Sequence, residues 1–385
     1  MLRFMTAGES HGPGLVTIVE GLPRGLEVSI EGIATELARR RLGFGRGNRM
    51  AIEKDGLEIL GGVRHGTTLG SPVAVVVRNT EWPRWAEEMS PELAPTRKAV
   101  TRPRPGHADL AGMLKYGTDD GRDILERASA RETAARTVAG HLAKTLLRTV
   151  DVEVISHVVA IGQVESQGPT PLPADLDAID ASPVRCFDEE STAAMVELIE
   201  DAKEQRDTLG GVFEVLAYGV PAGIGSHVHY DRRLDGMLAS GLMSIPAIKG
   251  VEIGDGFEVA HLPGSKSHDE IVAEGSSVVR PTNRAGGIEG GISNGEVIRA
   301  RAAMKPISTL MRPLRTVDMS TGEPAEAVRE RSDVCAVPAA GVVGEQMVAL
   351  TLGAEFQRKF GGDTVDEFVA AVATYRVRLA ERLQR

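Results

Sequence analysis

Ser129-Ala130-Arg131-Glu132 opens an alanine-rich stretch that runs to about residue 149, and an apolar run follows at 152–161. A serine three residues ahead of a glutamate, just before a helical pattern, is a capping box. The apolar run reads as a strand, so a helix is followed directly by a strand. The same alternation recurs outward from this point. Strand-like apolar runs lie at 15–19, 73–77 and 212–217, and an alternating stretch covers 296–304. Helical spacing joins Ile30, Ile33 and Leu37, with Gly43 as a stop. It also joins Met195, Leu198, Ile199 and Ala202, and again Leu234, Met237 and Leu238. At about 364–384, Val365, Phe368, Val369, Val372, Tyr375, Leu379 and Leu383 share one broad apolar face. That amphipathic helix must dock onto something. The pattern predicts an α/β fold.

Three stretches lack such periodicity. Residues 79–109 carry five prolines and both tryptophans, residues 165–185 are rich in Pro, Asp and Ser, and residues 261–295 hold clustered glycines. Connections this long are often functional. No composition break resembles a flexible linker and no repeat of fixed period occurs. Residues 1–385 are therefore expected to form a single large domain with long functional loops.

Composition removes several function classes. The 385 residues include 44 basic and 54 acidic side chains, a net charge of −10. A nucleic-acid coat needs a basic surface. A hydrophobic share of 42% argues against wholesale disorder. Two cysteines, Cys186 and Cys335, cannot make a disulfide framework and fit a reducing cytoplasm. No uninterrupted run of about 18 apolar residues is present, so no membrane span is expected. The first residues turn polar too early for a signal peptide. Of the basic residues, 35 are arginine and 9 lysine. Codon usage could produce that bias. So could a need to hold carboxylates and phosphates, which the planar guanidinium fork suits. Placement must decide.

Six segments could carry chemistry. Gly8-Glu-Ser-His11-Gly12-Pro-Gly14 places a Ser-His pair among glycines, and His11 could act as a general acid or base. A tight turn with a surface histidine reads equally from this stretch. In Arg39-Arg40-Arg41-Leu-Gly-Phe-Gly-Arg46-Gly-Asn-Arg49, the first three arginines sit where a helix C-terminus favours cations. Arg46 and Arg49 lie beyond that effect and suggest an anion-binding loop. Thr101-Arg102-Pro-Arg104-Pro-Gly106-His107-Ala-Asp109 is stiffened by alternating prolines and presents Arg, His and Asp. Glu126-Arg127-Ala128-Ser129-Ala130-Arg131-Glu132-Thr133 puts two arginines beside a helix N-terminus, a natural phosphate site. Residues 283–295 carry paired glycines, and Met304-Lys305-Pro306-Ile307-Ser308-Thr309 supplies one cation and two hydroxyls. Arg331-Ser-Asp333-Val-Cys335 joins a cation and a carboxylate ahead of an Ala/Val/Gly run. There is no P-loop, dinucleotide fingerprint, nucleophile elbow or zinc motif. His227-Val-His229 is an isolated pair, and no metal is expected.

Taken in order, these segments resemble the signature regions of the chorismate synthase family. The resemblance rests on Gly8-Glu-Ser-His-Gly with Glu20-Gly21-Leu-Pro23, on Arg127-Ala-Ser-Ala-Arg-Glu-Thr133, and on Arg331-Ser-Asp-Val-Cys335 with Gly344-Glu345. Residues 104–109 and 304–309 match as well, and the likeness spans about 1–362. It implies a β-α-β sandwich core and a cytoplasmic homotetramer. It also implies the conversion of 5-enolpyruvylshikimate 3-phosphate to chorismate by 1,4-anti elimination of phosphate, dependent on reduced FMN. By the same resemblance, His11 protonates the departing phosphate and His107 stands beside the reduced flavin. Asp333 pairs with flavin N5 and helps remove the C6 proton. Arg40, Arg46, Arg104 and Arg131 match positions for substrate or NADP, with substrate anions the better physical ligands. The matched flavin positions are Arg127, Ala128, Ser129, Ala247, Gly290, Lys305, Pro306, Ile307, Ser308, Thr309 and Arg331. One departure stands out. Pro246-Ala247 occupies a place where the family usually has Gln-Ala or Asn-Ala, and proline has neither a side-chain amide nor an N–H. The resemblance fills nearly the whole length and leaves no room for an appended flavin reductase. Reduced flavin is therefore expected from an external reductase or reductant, with NADPH involved only indirectly. Without the resemblance, another phosphate-ester enzyme or a non-catalytic oligomeric scaffold would fit the same arginines.

Overall fold

The structure, a computed structural model, describes residues 2–46, 56–92, 99–275, 277–328 and 333–383. The first half holds strands β1 (Arg3–Ala7) and β2 (Gly14–Glu20), helix α1 (Ile30–Arg39), and strands β3 (Gly56–Gly61) and β4 (Val73–Arg78). Helices α2 (Asp109–Tyr116) and α3 (Thr133–Arg148) follow. The second half holds β5 (Glu153–Ile161), β6 (Val164–Glu165), α4 (Glu189–Glu204), β7 (Gly211–Tyr218), α5 (Leu234–Met243), β8 (Ile248–Ile253) and β9 (Ile298–Met304). Two long helices close the chain, α6 (Val337–Phe360) and α7 (Val365–Leu383).

The first sheet runs β1-β2-β4-β3 and the second β8-β9-β7-β5-β6, with every neighbouring pair antiparallel. Helix α3 packs under β1, β2 and β4, while α6 packs on β5 and β7, and the two helices pack on each other. The layers are sheet, helices, sheet, which is the expected β-α-β sandwich. One apolar cluster runs through all of them, from Leu2 to Val372.

Small residues let these layers approach. A Cβ on Gly140 of α3 would come within 2.6 Å of Gln346 Cα on α6. Around it, Ala134, Ala135, Val138, Ala139, Leu142, Ala143, Leu146 and Leu147 are wholly buried. Burial on every side leaves no amphipathic stripe, and this hid α6, which the sequence shows only as an Ala/Val/Gly run. By length and composition α6 could cross a membrane, yet 89% of its most apolar window is buried inside the fold.

At the centre of α6, Glu345 is fully buried within an ionic cluster. It receives Arg39 (2.7 and 2.9 Å), Lys144 (2.8 Å), Arg185 (3.2 Å) and the Ser156 hydroxyl (2.8 Å). Glu36 takes Arg39, Lys144 and Gln346, and Asp180 takes Arg39 and Arg185. Three cations meet three carboxylates, the balance that buried charge requires. The helix-end explanation of Arg39 is thereby corrected: its guanidinium turns inward and binds α6.

The expected strands are present to within three residues at either end, and β1, β3, β6 and β8 are additional. The capping box is only half formed. Ser129 Oγ accepts from the Arg131 N–H at 3.3 Å, but Ala130–Glu132 is a 3-10 turn that leads into α3. Glu132 turns instead to Thr6 (2.9 Å) and Arg136 (2.8 Å), stronger partners than a backbone N–H. The terminal helix docks a narrower face than expected. Phe368 and Val372 are buried, with the Phe368 ring 6.5 Å from Phe356, while Leu383 is 50% exposed. The long connections also contain structure, including short helices at Trp82–Trp85 and Leu176–Ala181 and a hairpin of Ile288–Glu289 with Ile292–Ser293.

Candidate active site

A cavity of about 490 Å³ opens where the first turns of α3 and α6 meet between the sheets. Its wall comes from the β1–β2 loop (Ser10, His11), the end of α1 and the segment after it (Arg40, Arg46), and the turn ahead of α2 (Arg104, Gly106, His107, Ala108). The start of α3 adds Ala128 through Arg131, and the end of β9 adds Lys305, Ile307, Ser308 and Thr309. Ala247 comes from ahead of β8, and Asp333 with Ala336, Ala339, Ala340 and Val343 from around the start of α6. Two helix N-termini at one cavity favour anions there, through their dipoles and first-turn N–H groups.

The β1–β2 loop is fixed before any side chain acts. Asn79 donates to the carbonyls of Ser10 and Gly12, both at 3.0 Å, and the Ser10 N–H donates to the Glu126 carbonyl at 3.0 Å. His11 is then held by Glu126 and Trp85. Its Nδ1 lies 3.0 Å from both carboxylate oxygens of Glu126, and its ring stacks on Trp85 at 4.0 Å between centroids. Burial alone would raise the Glu126 pKa, but the bonds from His11 and the charge of Arg122 hold it below the usual value.

His107 repeats the pattern. Gly106 takes φ +77°, a left-handed turn that glycine adopts without strain, and the next residue points at Asp109. His107 Nδ1 is 2.5 Å from Asp109 Oδ1. Asp109 also receives Arg104 through its backbone N–H (3.0 Å) and Nε (2.8 Å). Burial pushes the Asp109 pKa up, but His107 and Arg104 outweigh it and leave the carboxyl far below the usual range. Arg104 reaches across to the Thr309 hydroxyl at 3.2 Å, tying this turn to the end of β9. Lys305 donates to the Gly106 carbonyl at 2.5 Å; burial and the nearby Lys249 lower its pKa. Arg46 and Asp333 form an ion pair at 3.0 Å inside the cavity.

Most residues expected at the site converge on this one space. His11, His107, Asp333, Arg40, Arg46, Arg104, Arg131, Ala128, Ser129, Ala247, Lys305, Ile307, Ser308 and Thr309 all line it. Pro246 lines it too, and Ala247 is held at φ +70°, a strained value for a residue with a side chain. Three do not. Pro306 is exposed in the turn after β9. Arg127 turns back to the Thr6 and Gly8 carbonyls, both at 3.0 Å, and so ties the α3 segment to β1. Gly290 lies in the exposed turn of the Ile288–Ser293 hairpin. Arg331 and Arg49 lie outside the described residues. His229 pairs with the exposed Asp231 at 2.7 Å, and no group of three metal-binding side chains occurs among the described residues.

Sequence reading missed Glu126, Asp109 and Trp85 as partners of the site histidines. Asp109 was in view two residues from His107. Glu126 and Trp85 are far from His11 in the chain, and nothing in one sequence pairs them.

Two histidines, a carboxylate and several guanidiniums facing one small-molecule cavity define an enzyme that does acid–base chemistry on a polyanion. Comparison with known proteins narrows this. The chorismate synthase family model matches residues 2–356. Chorismate synthases of Salinispora tropica and Acidothermus cellulolyticus are 61% and 59% identical to this chain, covering 97% and 95% of it and 98% and 96% of their own lengths. A crystal structure of chorismate synthase superposes with a TM-score of 0.79 at 41% identity, covering 100% of this chain and 98% of that one. The chain belongs to the chorismate synthase family. It is a carbon–oxygen lyase that forms chorismate in the shikimate pathway to aromatic amino acids.

Proposed function

We propose that this chain converts 5-enolpyruvylshikimate 3-phosphate to chorismate in the cavity described above, with His11, His107 and Asp333 as its catalytic groups. The single observation that carries the reading is the convergence of these three side chains with Arg40, Arg46, Arg104 and Arg131 on one wall-bounded space. The substrate brings a phosphate and two carboxylates, and the arginines and helix N-termini match that charge.

The reaction breaks the C6–H bond and the C3–O bond to phosphate, and the freed electron pair becomes the new double bond. His11 delivers a proton to the departing phosphate, because a protonated phosphate leaves more readily. Asp333, oriented by Arg46, accepts the C6 proton. Ala339, Ala340 and Val343 of α6 line the same cavity with small, apolar side chains that offer water no hydrogen bond.

Reduced FMN, when bound, supplies electron density that no side chain offers. The residues present fit it. Ser129, Ser308 and Thr309 offer hydroxyls, Lys305 a cation, His107 a donor, and Leu125, Ile245 and Val343 apolar lining. The volume is that of a small-ligand site. The remaining matched positions, Arg127, Gly290, Pro306 and Arg331, are assigned to FMN by family likeness alone. NADPH acts only through an external flavin reductase. The unbroken apolar cluster supports one domain. Met5 and Ile18, opposite each other on β1 and β2 and 70% and 41% exposed, suit the subunit contacts of a cytoplasmic homotetramer.

An anaerobic assay tests this. Pure protein with chemically reduced FMN should form chorismate, and NADPH with oxidised FMN should form almost none. Fast NADPH-driven turnover by the pure protein would reject the external reductant. Failure of reduced FMN to support turnover would reject the cofactor. FMN affinity should rise when substrate is present, since both share one cavity.

A further inference from the structure

We propose that Glu126 is a positioning residue that keeps the Nδ1 proton on His11, so that Nε2 is the nitrogen that serves the substrate. The inference rests on the reading of His11 as the proton donor and extends it to a residue 115 positions away.

The geometry leaves little choice of proton placement. Both Glu126 oxygens lie 3.0 Å from Nδ1, and one of them also accepts the His11 backbone N–H at 2.9 Å. The carboxylate is buried at 2% exposure and receives Arg122 at 3.0 Å, so it stays ionised and only accepts. An accepting partner requires a hydrogen on Nδ1. Trp85 stacks on the ring, and the Arg122 guanidinium lies over Trp85 at 5.2 Å. Arg122 thus binds both the orienting carboxylate and the stacking indole. His11, Glu126, Arg122 and Trp85 form one closed cluster, and the ring cannot flip without breaking it.

The consequence is chemical. With Nδ1–H held in both protonation states, the proton given up is the one on Nε2. The Nε2–H bond breaks, its electron pair stays on nitrogen, and an O–H bond forms on the leaving phosphate. The ring ends neutral with Nδ1–H still bonded to Glu126, so no tautomer change is needed before the next turnover. While the ring is charged, Glu126 balances it in a buried setting.

A double-mutant cycle with tautomer spectroscopy tests the proposal. Glu126→Gln keeps size and can still accept the His11 backbone N–H, so the loop anchor survives. Its amide is uncharged and replaces one of the two oxygens facing Nδ1 with a donor, so the lock is weakened. The expected result is a fall in kcat on the order of 100-fold with KM for 5-enolpyruvylshikimate 3-phosphate nearly unchanged. In the His11→Ala background the same change should add almost nothing, because Glu126 acts through His11. Nitrogen-15 spectra of the neutral His11 ring in the unmutated protein should show a protonated Nδ1 and a bare Nε2. A bare Nδ1 there, or wild-type kcat in Glu126→Gln alongside a crippled His11→Ala, would overturn the role of Glu126. So would an equal loss from Glu126→Gln with and without His11. Near wild-type turnover by His11→Ala would instead remove the underlying reading.

Discussion

Arg46 Nη1 stands 3.0 Å from Asp333 Oδ2, and both side chains face the cavity. The ion pair joins the segment after α1 to the approach of α6 and gives the carboxylate a fixed direction. A base that must remove a proton from carbon gains from such fixing, since orientation is part of the barrier. Asp333→Asn keeps the shape and removes the base. The expected outcome is a loss of kcat on the order of 100- to 10,000-fold with FMN affinity changed little. Single-turnover kinetics with reduced FMN, beside an FMN titration, checks this. An unchanged rate of the chemical step would clear Asp333 of the role.

The buried cluster around Glu345 makes a different prediction. Burial raises the pKa of this carboxyl, but Arg39, Lys144 and Arg185 together hold it well below its ordinary value of 4.5. Glu36 is lowered in the same way, by Lys144 and Arg39 against burial. A depressed carboxyl stabilises the fold above its unfolded pKa, and that stability is lost as pH falls through the folded one. Glu345→Ala leaves three cations facing two carboxylates inside the protein. It should cost about 3–5 kcal/mol at neutral pH. The deficit should shrink as pH falls below about 4.5, where the unmutated protein begins to lose the same contribution. Denaturant unfolding at pH 7 and pH 4 measures both values, and equal deficits at the two would refute the assignment.

Much of this architecture was legible and some was not, for physical reasons. The strand at 152–161 and the alanine-rich helix before it show because each has clear ends and one period. Helix α6 did not show, because burial on all sides leaves no amphipathic stripe. Arg39 was legible as a cation at a helix end, where the dipole suffices to explain it. Its true partner, Glu345, is 306 residues away. The site arginines and histidines could be picked out because glycines and prolines frame them. Asp109 and Asp333 sit in those same segments, but Glu126 could not be paired with His11, since a Glu 115 residues away in a polar segment looks like surface. Family likeness supplied what spacing alone withheld, the chemistry that these side chains serve.

Gly140 tests the helix contact at the centre of the sandwich. It has no side chain because the backbone of Gln346 lies where one would be, within 2.6 Å. Gly140→Ala would ordinarily favour a helix by about 1 kcal/mol. Here the methyl must push α3 and α6 apart, and overpacking of this kind costs about 1–3 kcal/mol or more. A lowered Tm is expected, with weaker FMN binding as the N-termini of both helices shift. A raised Tm would show that the helices can separate freely.

His141, on α3 beside α1, predicts a pH dependence separate from that of the carboxylates. Burial lowers its pKa from 6.5 to about 4, and Lys144 and Arg148 add to this against the opposing pull of Glu36. Its Nδ1 has no hydrogen-bond partner among the described residues. The folded protein therefore holds this ring neutral at pH values where the unfolded chain protonates it. The unfolded state binds more protons between about pH 4 and 6.5, so stability rises with pH across that window. The full effect of one such group is roughly 3 kcal/mol. His141→Gln keeps a polar side chain of similar reach and removes the titration. Thermal unfolding between pH 4.5 and 6.5 should show a shallower rise in Tm for the variant than for the parent. Parallel curves would mean that the ring takes up a proton without loss of structure and that the slope belongs to other groups.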